Sequence, residues 1–159
     1  MIKRWEQGRP VVDRLIAAER VQPVVASREL ADLMIARART HLATAAAVAV
    51  SDPTAAFQTA YDGSRKALAA IMANQGLRAT TAPGAHKVLL EVCLAQLDPP
   101  MGRTLAHFDW LRRTRNQAEY PDLDAPEIDE ADVKDAIRLA GGIVDLAQQV
   151  LDIMPVYQP

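Results

Sequence analysis

The chain of 159 residues contains one cysteine, seven aromatic residues and no long apolar run. Each scarcity excludes something. Cys93 has no partner for an internal disulfide and cannot build a zinc site, so a reducing, cytoplasmic setting is expected. Two Trp, two Phe and three Tyr are too few for a β-sandwich or barrel, whose strands draw on aromatic and β-branched side chains. The most apolar stretch, around residues 45–50, falls short of the roughly 20 residues a membrane helix needs, so no membrane association is expected. Basic residues near the N-terminus are not followed by an apolar segment, so no secretory signal is expected either. With 18 basic against 20 acidic residues the net charge is −2, which excludes a general basic coat for nucleic acid. The three histidines, His41, His86 and His107, lack metal-ligand spacing, and the seven glycines form no phosphate loop, so neither a metal nor a cofactor is expected.

What the chain has in quantity is alanine, 29 residues of 159. Alanine is the best helix former and lets helix backbones approach closely, so an all-α bundle of four or five mainly antiparallel helices is predicted. Residues 1–26 read as an arm broken by Gly8, Pro10 and Pro23, with room for a short helix over 11–21. Residues 27–154 read as a single bundle and 155–159 as a tail. Ser27 caps a helix to about Val50 with Leu30, Met34, Ala38, Leu42, Ala45 and Val48 as its apolar row. Asp52-Pro53 starts the next helix, whose row Phe57, Tyr61, Ser64, Leu68, Ile71 runs to a terminating Gly76. A loop over 79–84 precedes a shorter helix, residues 86–97, with Val88, Leu89, Val92 and Cys93 inward. A fourth helix covers about 102–118 and is closed by Pro121. Asp129 caps the last helix, whose row is Val133, Ile137, Ala140, Val144, Ala147, Leu151 and Met154.

The small net charge hides a sharp polarity. Residues 101–117 carry four arginines (103, 112, 113, 115) and one acid, Asp109; residues 118–136 carry eight acids and only Lys134. Favourable charge at helix ends accounts for most of the acids. It accounts less well for three arginines within four positions, which must point in different directions around one helix. At 3.6 residues per turn, Arg112, Asn116, Glu119 and Tyr120 share a face and Arg115 flanks it. Guanidinium, amide and phenol groups on one face suit a phosphodiester or a nucleotide, whereas a solvated helix end with Tyr120 packed against the bundle and Arg115 paired to Glu119 is the plainer alternative.

The run Arg115-Asn116-Gln117-Ala118-Glu119-Tyr120, late in a bundle helix, resembles the signature of the HEPN family (higher eukaryotes and prokaryotes nucleotide-binding), an arginine followed four to six residues later by histidine, often with a polar residue directly after the arginine. The layout around it is similar too, with Ala60-Tyr61 and Lys66-Ala67-Leu68 on one helix and Gly84-Ala85-His86 opening the next. The resemblance spans about residues 27–154 and looks closest to small stand-alone actinobacterial members, and 14 Arg against 4 Lys fits a high-GC genome. It implies a homodimer that binds RNA or a nucleotide. In active members it implies a metal-independent ribonuclease toxin, often with a nucleotidyltransferase partner. Arg115 matches the arginine and Asn116 the polar neighbour, but Tyr120 stands where histidine is due.

A phenol with a pKa near 10 is a poor general base at neutral pH, although it still donates a hydrogen bond. The resemblance therefore points to a catalytically degenerate, homodimeric RNA- or nucleotide-binding or regulatory module using Arg112, Arg115, Asn116 and Tyr120. Arg113, Glu119 and His107 are secondary candidates. His107 lies eight residues before Arg115, about 12 Å along the helix axis. An active ribonuclease using Arg115, Asn116 and Tyr120, and a helical protein–protein adaptor, are the two alternatives.

Overall fold

In the computed structural model, which describes residues 5–120 and 122–158, capping residues and prolines punctuate the chain into helices. Six form among the described residues: α1 (Arg9–Ala17), α2 (Arg28–Val48), α3 (Pro53–Gln75), α4 (Ala85–Leu97), α5 (Gly102–Glu119) and α6 (Glu130–Leu151). Two short strands, β1 (Val21–Pro23) and β2 (Leu77–Ala79), pair antiparallel with Gln22 opposite Arg78. The fold is an all-α bundle with one small ribbon.

Local chemistry sets the boundaries. The Ser27 hydroxyl accepts from the Leu30 amide at 3.0 Å, and the Asp52 carboxylate accepts from the Ala55 amide at 3.0 Å, just before Pro53. Asp129 and Asp132 cap α6 reciprocally at 2.9 and 3.0 Å. Gly76 ends α3 in the left-handed region (φ 81°), where a Cβ would lie 2.9 Å from the Val24 carbonyl oxygen. Pro121, the expected stop for α5, lies outside the described residues.

The bundle is organised around α3, which packs against α2, α4, α5 and α6. Ala56, Phe57, Ala60, Tyr61, Ala67, Leu68 and Ile71 are all fully buried. Small residues allow the closest approach: a Cβ at Gly63 would sit 3.2 Å from the Ala38 carbonyl oxygen of α2. That contact fixes the rotation of α2 and corrects the expected apolar row. Ala31, Ile35, Ala38 and Ala45 face α3, while Leu30 stays 44% exposed and Met34, Leu42 and Val48 are half-buried. One residue of helix is about 100° of rotation, enough to turn Leu30 off the contact line once Ala31 occupies it.

On α6, Val133, Ala140, Val144, Ala147 and Leu151 are buried, and Ile137 half-buried. Its Gly141 and Gly142 face Leu42 of α2 and Thr104 of α5. The helix expected over 11–21 is shorter. α1 ends at Ala17 because Glu19 takes a positive φ (57°) and the chain turns into β1. Val12 and Leu15 are buried, α1 packs on α4, and the Tyr157 hydroxyl near the C-terminus bonds to Asp13. Residues 9–23 thus lie against the bundle of their own chain. The amides of Gln75 and Gln96, both buried, exchange hydrogen bonds at 2.7 and 3.1 Å between α3 and α4. Cys93 is fully buried, and burial pushes its thiol up to about 12, far from the reactive range.

If α3 is the organising helix, Leu68→Ala costs about 2–5 kcal/mol of unfolding free energy. Leu123→Ala, on a side chain that is fully exposed, stays within about 0.5 kcal/mol. Urea denaturation of both variants checks this, and equal effects would contradict it.

Candidate functional site

The second half of α5 is anchored by Leu111, which is fully buried, and the helical turn then distributes the arginines. Arg112, with 15% of its side chain exposed, donates to Asp109 Oδ1 at 2.8 Å. Arg113, largely exposed, pairs with the other oxygen of the same carboxylate at 3.0 Å. One acid therefore serves two guanidinium groups, and the bond from Arg112 holds the Asp109 carboxyl below its usual range. Arg115 lies 2.6 Å from Glu119 and 3.2 Å from Asn116 Oδ1, and its guanidinium sits 5.7 Å from the Tyr61 ring centroid. The plainer reading holds for its Arg115–Glu119 pair but not for a Tyr120 packed against the bundle, and Arg115 engages the amide oxygen of Asn116 but not its amide nitrogen.

Tyr120 is the residue after α5. Its backbone (φ −117°, ψ 74°) leaves the helix and its ring is 77% exposed. His107 is half-buried two turns before Arg115. Neither lines the cleft that Arg112 and Asn116 share with the turn into α4. Arg115 and Glu119 line a separate cavity of 130 Å³ against Phe57 and Ile128.

The histidine in the shared cleft is His86. Gly84, at φ 84°, opens α4 and places His86 in its first turn. The imidazole Nδ1 is 2.6 Å from the Tyr61 hydroxyl. Tyr61 is fully buried, stacked on Phe108 of α5 with centroids 5.5 Å apart and planes at 28°. Burial pushes the phenol up to about 12, so it keeps its proton, and because Nδ1 is the one partner of this buried hydroxyl among the described residues, the O–H is assigned as donor to Nδ1. The N–H of the neutral imidazole is then on Nε2. His86 is held below its ordinary 6.5 first by burial, then by the charges of Arg65 and Arg115, with Asp62 opposing. The cleft measures 430 Å³ and is lined by the 81–87 turn, Arg112 and Asn116. The structure thus brings Arg112 and Asn116 together with His86 and Lys87.

Comparison with protein families, with curated proteins and with solved structures finds no match. Among the described residues there is no group of three or more His, Cys, Asp and Glu side chains placed to hold a metal ion, and no helix is long and apolar enough to cross a membrane. His86 and Tyr61 are the residues that motif spacing alone did not pick out. The available signals were a tyrosine inside a mainly apolar row and a histidine just behind Gly84-Ala85. Their pairing depends on how α4 packs against α3.

A histidine whose folded value lies below 6.5 binds its proton more readily when unfolded. The stability this contributes is complete above 6.5 and is lost as pH falls toward the folded value. His41, lowered first by burial and then by Lys66, acts in the same direction. Urea midpoints measured from about pH 7.5 to about pH 5 should fall, and fall less steeply in His86→Asn. An unchanged slope in that variant would contradict the assignment.

Proposed function

We propose that the protein is a HEPN-type helical module that binds RNA or a nucleotide as a homodimer through the C-terminal half of α5. The observation that carries this is the unequal pairing of the arginines. Arg112 and Arg113 share Asp109, so the face keeps an excess of positive charge in a chain whose net charge is −2. Asn116, one turn beyond Arg112, adds an amide that can donate to a phosphate oxygen beside the guanidinium fork. The exposed side chains of Tyr120 and Leu123, just beyond this face, supply apolar surface for a second subunit or for a base. Binding without cleavage is the primary reading, because Tyr120 stands where the family motif has its histidine.

A second reading, metal-independent ribonuclease activity, is favoured by one observation. His86 lies in the same cleft as Arg112 and Asn116 and turns its Nε2–H toward it as a donor for a phosphate oxygen, while Nδ1 is held by Tyr61. The two readings separate in one experiment, in which total RNA is incubated with the protein in EDTA beside Arg115→Ala and His86→Asn. Cleavage by the wild type that both variants abolish establishes the ribonuclease, and intact RNA leaves the binding module.

For binding itself, the affinity for single-stranded RNA should fall with salt, and Arg112→Ala should weaken it at low salt. That variant should also reduce the log–log salt slope by about 0.7, the share of one phosphate contact. Fluorescence anisotropy across a salt series measures both. Undetectable or salt-independent binding would favour the protein–protein adaptor instead.

A further inference from the structure

We propose that the cleft between the start of α4 and α5 is a site for a terminal phosphate, bound as a phosphate monoester on a nucleotide or an RNA end and held by His86, Arg112 and Asn116. This deepens the RNA- or nucleotide-binding reading and rests on it. Three features of the cleft carry it.

The first is the donor set. Arg112 presents a guanidinium held in place by Asp109, Asn116 an amide, Lys87 an ammonium group and His86 an imidazole. No carboxylate lines this cleft, whereas Glu119 lines the cavity beside Arg115 and Asp122, Glu127 and Asp132 line the groove under the acidic loop. A monoester offers three terminal oxygens, and a phosphodiester offers two. Four donors from two elements converging on one acid-free cleft match the former better.

The second is orientation. The Tyr61 hydroxyl holds His86 Nδ1 at 2.6 Å from inside the bundle, so the cleft meets the Nε2–H edge as a donor. Tyr61 is thereby a positioning residue. It is fixed in turn by its stack on Phe108.

The third is the electrostatic surround. Arg65 and Asp62 face His86 from α3, and Arg112 and Arg115 from α5. Lys87 adjoins it on α4, and Arg20 reaches the Pro83 carbonyl at 3.1 Å at the mouth of the turn. With Asp109 on Arg112 and Glu119 on Arg115 counted beside Asp62, five cations still face three acids, and burial acts in the same direction. An empty cleft therefore disfavours the imidazolium, and a dianion in it reverses that preference. Binding takes up a proton onto Nδ1, with the Tyr61 hydroxyl turning to accept from it, so ligand and proton affinity are linked.

The test follows the His86 imidazole resonances by NMR through a pH titration of the full chain, alone and with saturating AMP. In parallel, anisotropy compares one oligoribonucleotide carrying either a 5′-phosphate or a 5′-hydroxyl, and a third version with a 3′-phosphate. The proposal expects AMP to raise the His86 midpoint by about one pH unit or more. It expects at least one phosphorylated end to bind about tenfold tighter than the 5′-hydroxyl version, with Arg112→Gln abolishing that preference. AMP binding with no RNA binding would sink the RNA reading and leave this site standing. RNA binding with no end preference and an unmoved His86 midpoint would overturn this site and leave the RNA reading intact. Because the midpoint is read on wild-type protein, a variant that fails to fold does not blunt the test.

Discussion

One side chain couples three helices to the candidate site. Tyr61 emerges from the middle of α3, stacks on Phe108 of α5, lies beneath the guanidinium of Arg115 and reaches His86 at the start of α4 with its hydroxyl. It is fully buried, and a buried hydroxyl without a partner is costly. The bond to His86 therefore serves stability and geometry together, since it satisfies the phenol and sets the direction of the imidazole. The α4–α5 cleft depends on this arrangement. If α4 rotated, the histidine would leave both its partner and the arginine row.

The alanine content has a matching physical use. α3 is surrounded by four helices, and only small residues allow that many neighbours to approach one helix closely. Gly63 against the Ala38 carbonyl and the inward row of Ala31, Ala38 and Ala45 show where backbone contact replaces large side chains. Tightly packed helices form the frame on which the polar groups at its edge are carried. The polarity of charge has a similar logic. The net −2 averages an arginine-rich α5 against an acidic stretch that caps α6 with Asp129 and Asp132. The acids that cap a helix are committed to backbone amides, while the arginines of α5 outnumber the acids paired with them.

Much of the fold was legible in the sequence because its signals are local. Ser27, Asp52-Pro53, Gly76 and Asp129 mark helix ends through bonds to residues two to four positions away. The rotation of α2 was not legible. Leu30 and Ala31 are both apolar, and the contacts of α2 with α3, close at Gly63, and with α6 decide which faces inward. The β1–β2 ribbon was not legible either, because two three-residue strands separated by 53 residues leave no periodic trace of their pairing. The same limit applied at the site. Arg112, Arg115 and Asn116 stand out as a cluster within one helix, whereas His86 joins them from another helix. Tyr120, the residue the motif offers, sits past the end of α5 with its ring in solvent.

The central claim is that Tyr61 donates to His86 Nδ1 and leaves a neutral imidazole with its proton on Nε2, ready for an anion. Long-range 1H–15N correlation of the histidine ring nitrogens in the unliganded protein, at about pH 7.5, tests this most directly. The account predicts an unprotonated Nδ1 and a protonated Nε2 for His86, with Tyr61→Phe mixing the two tautomers. A protonated Nδ1 in the wild type, or a tautomer unaffected by loss of the Tyr61 hydroxyl, would contradict it.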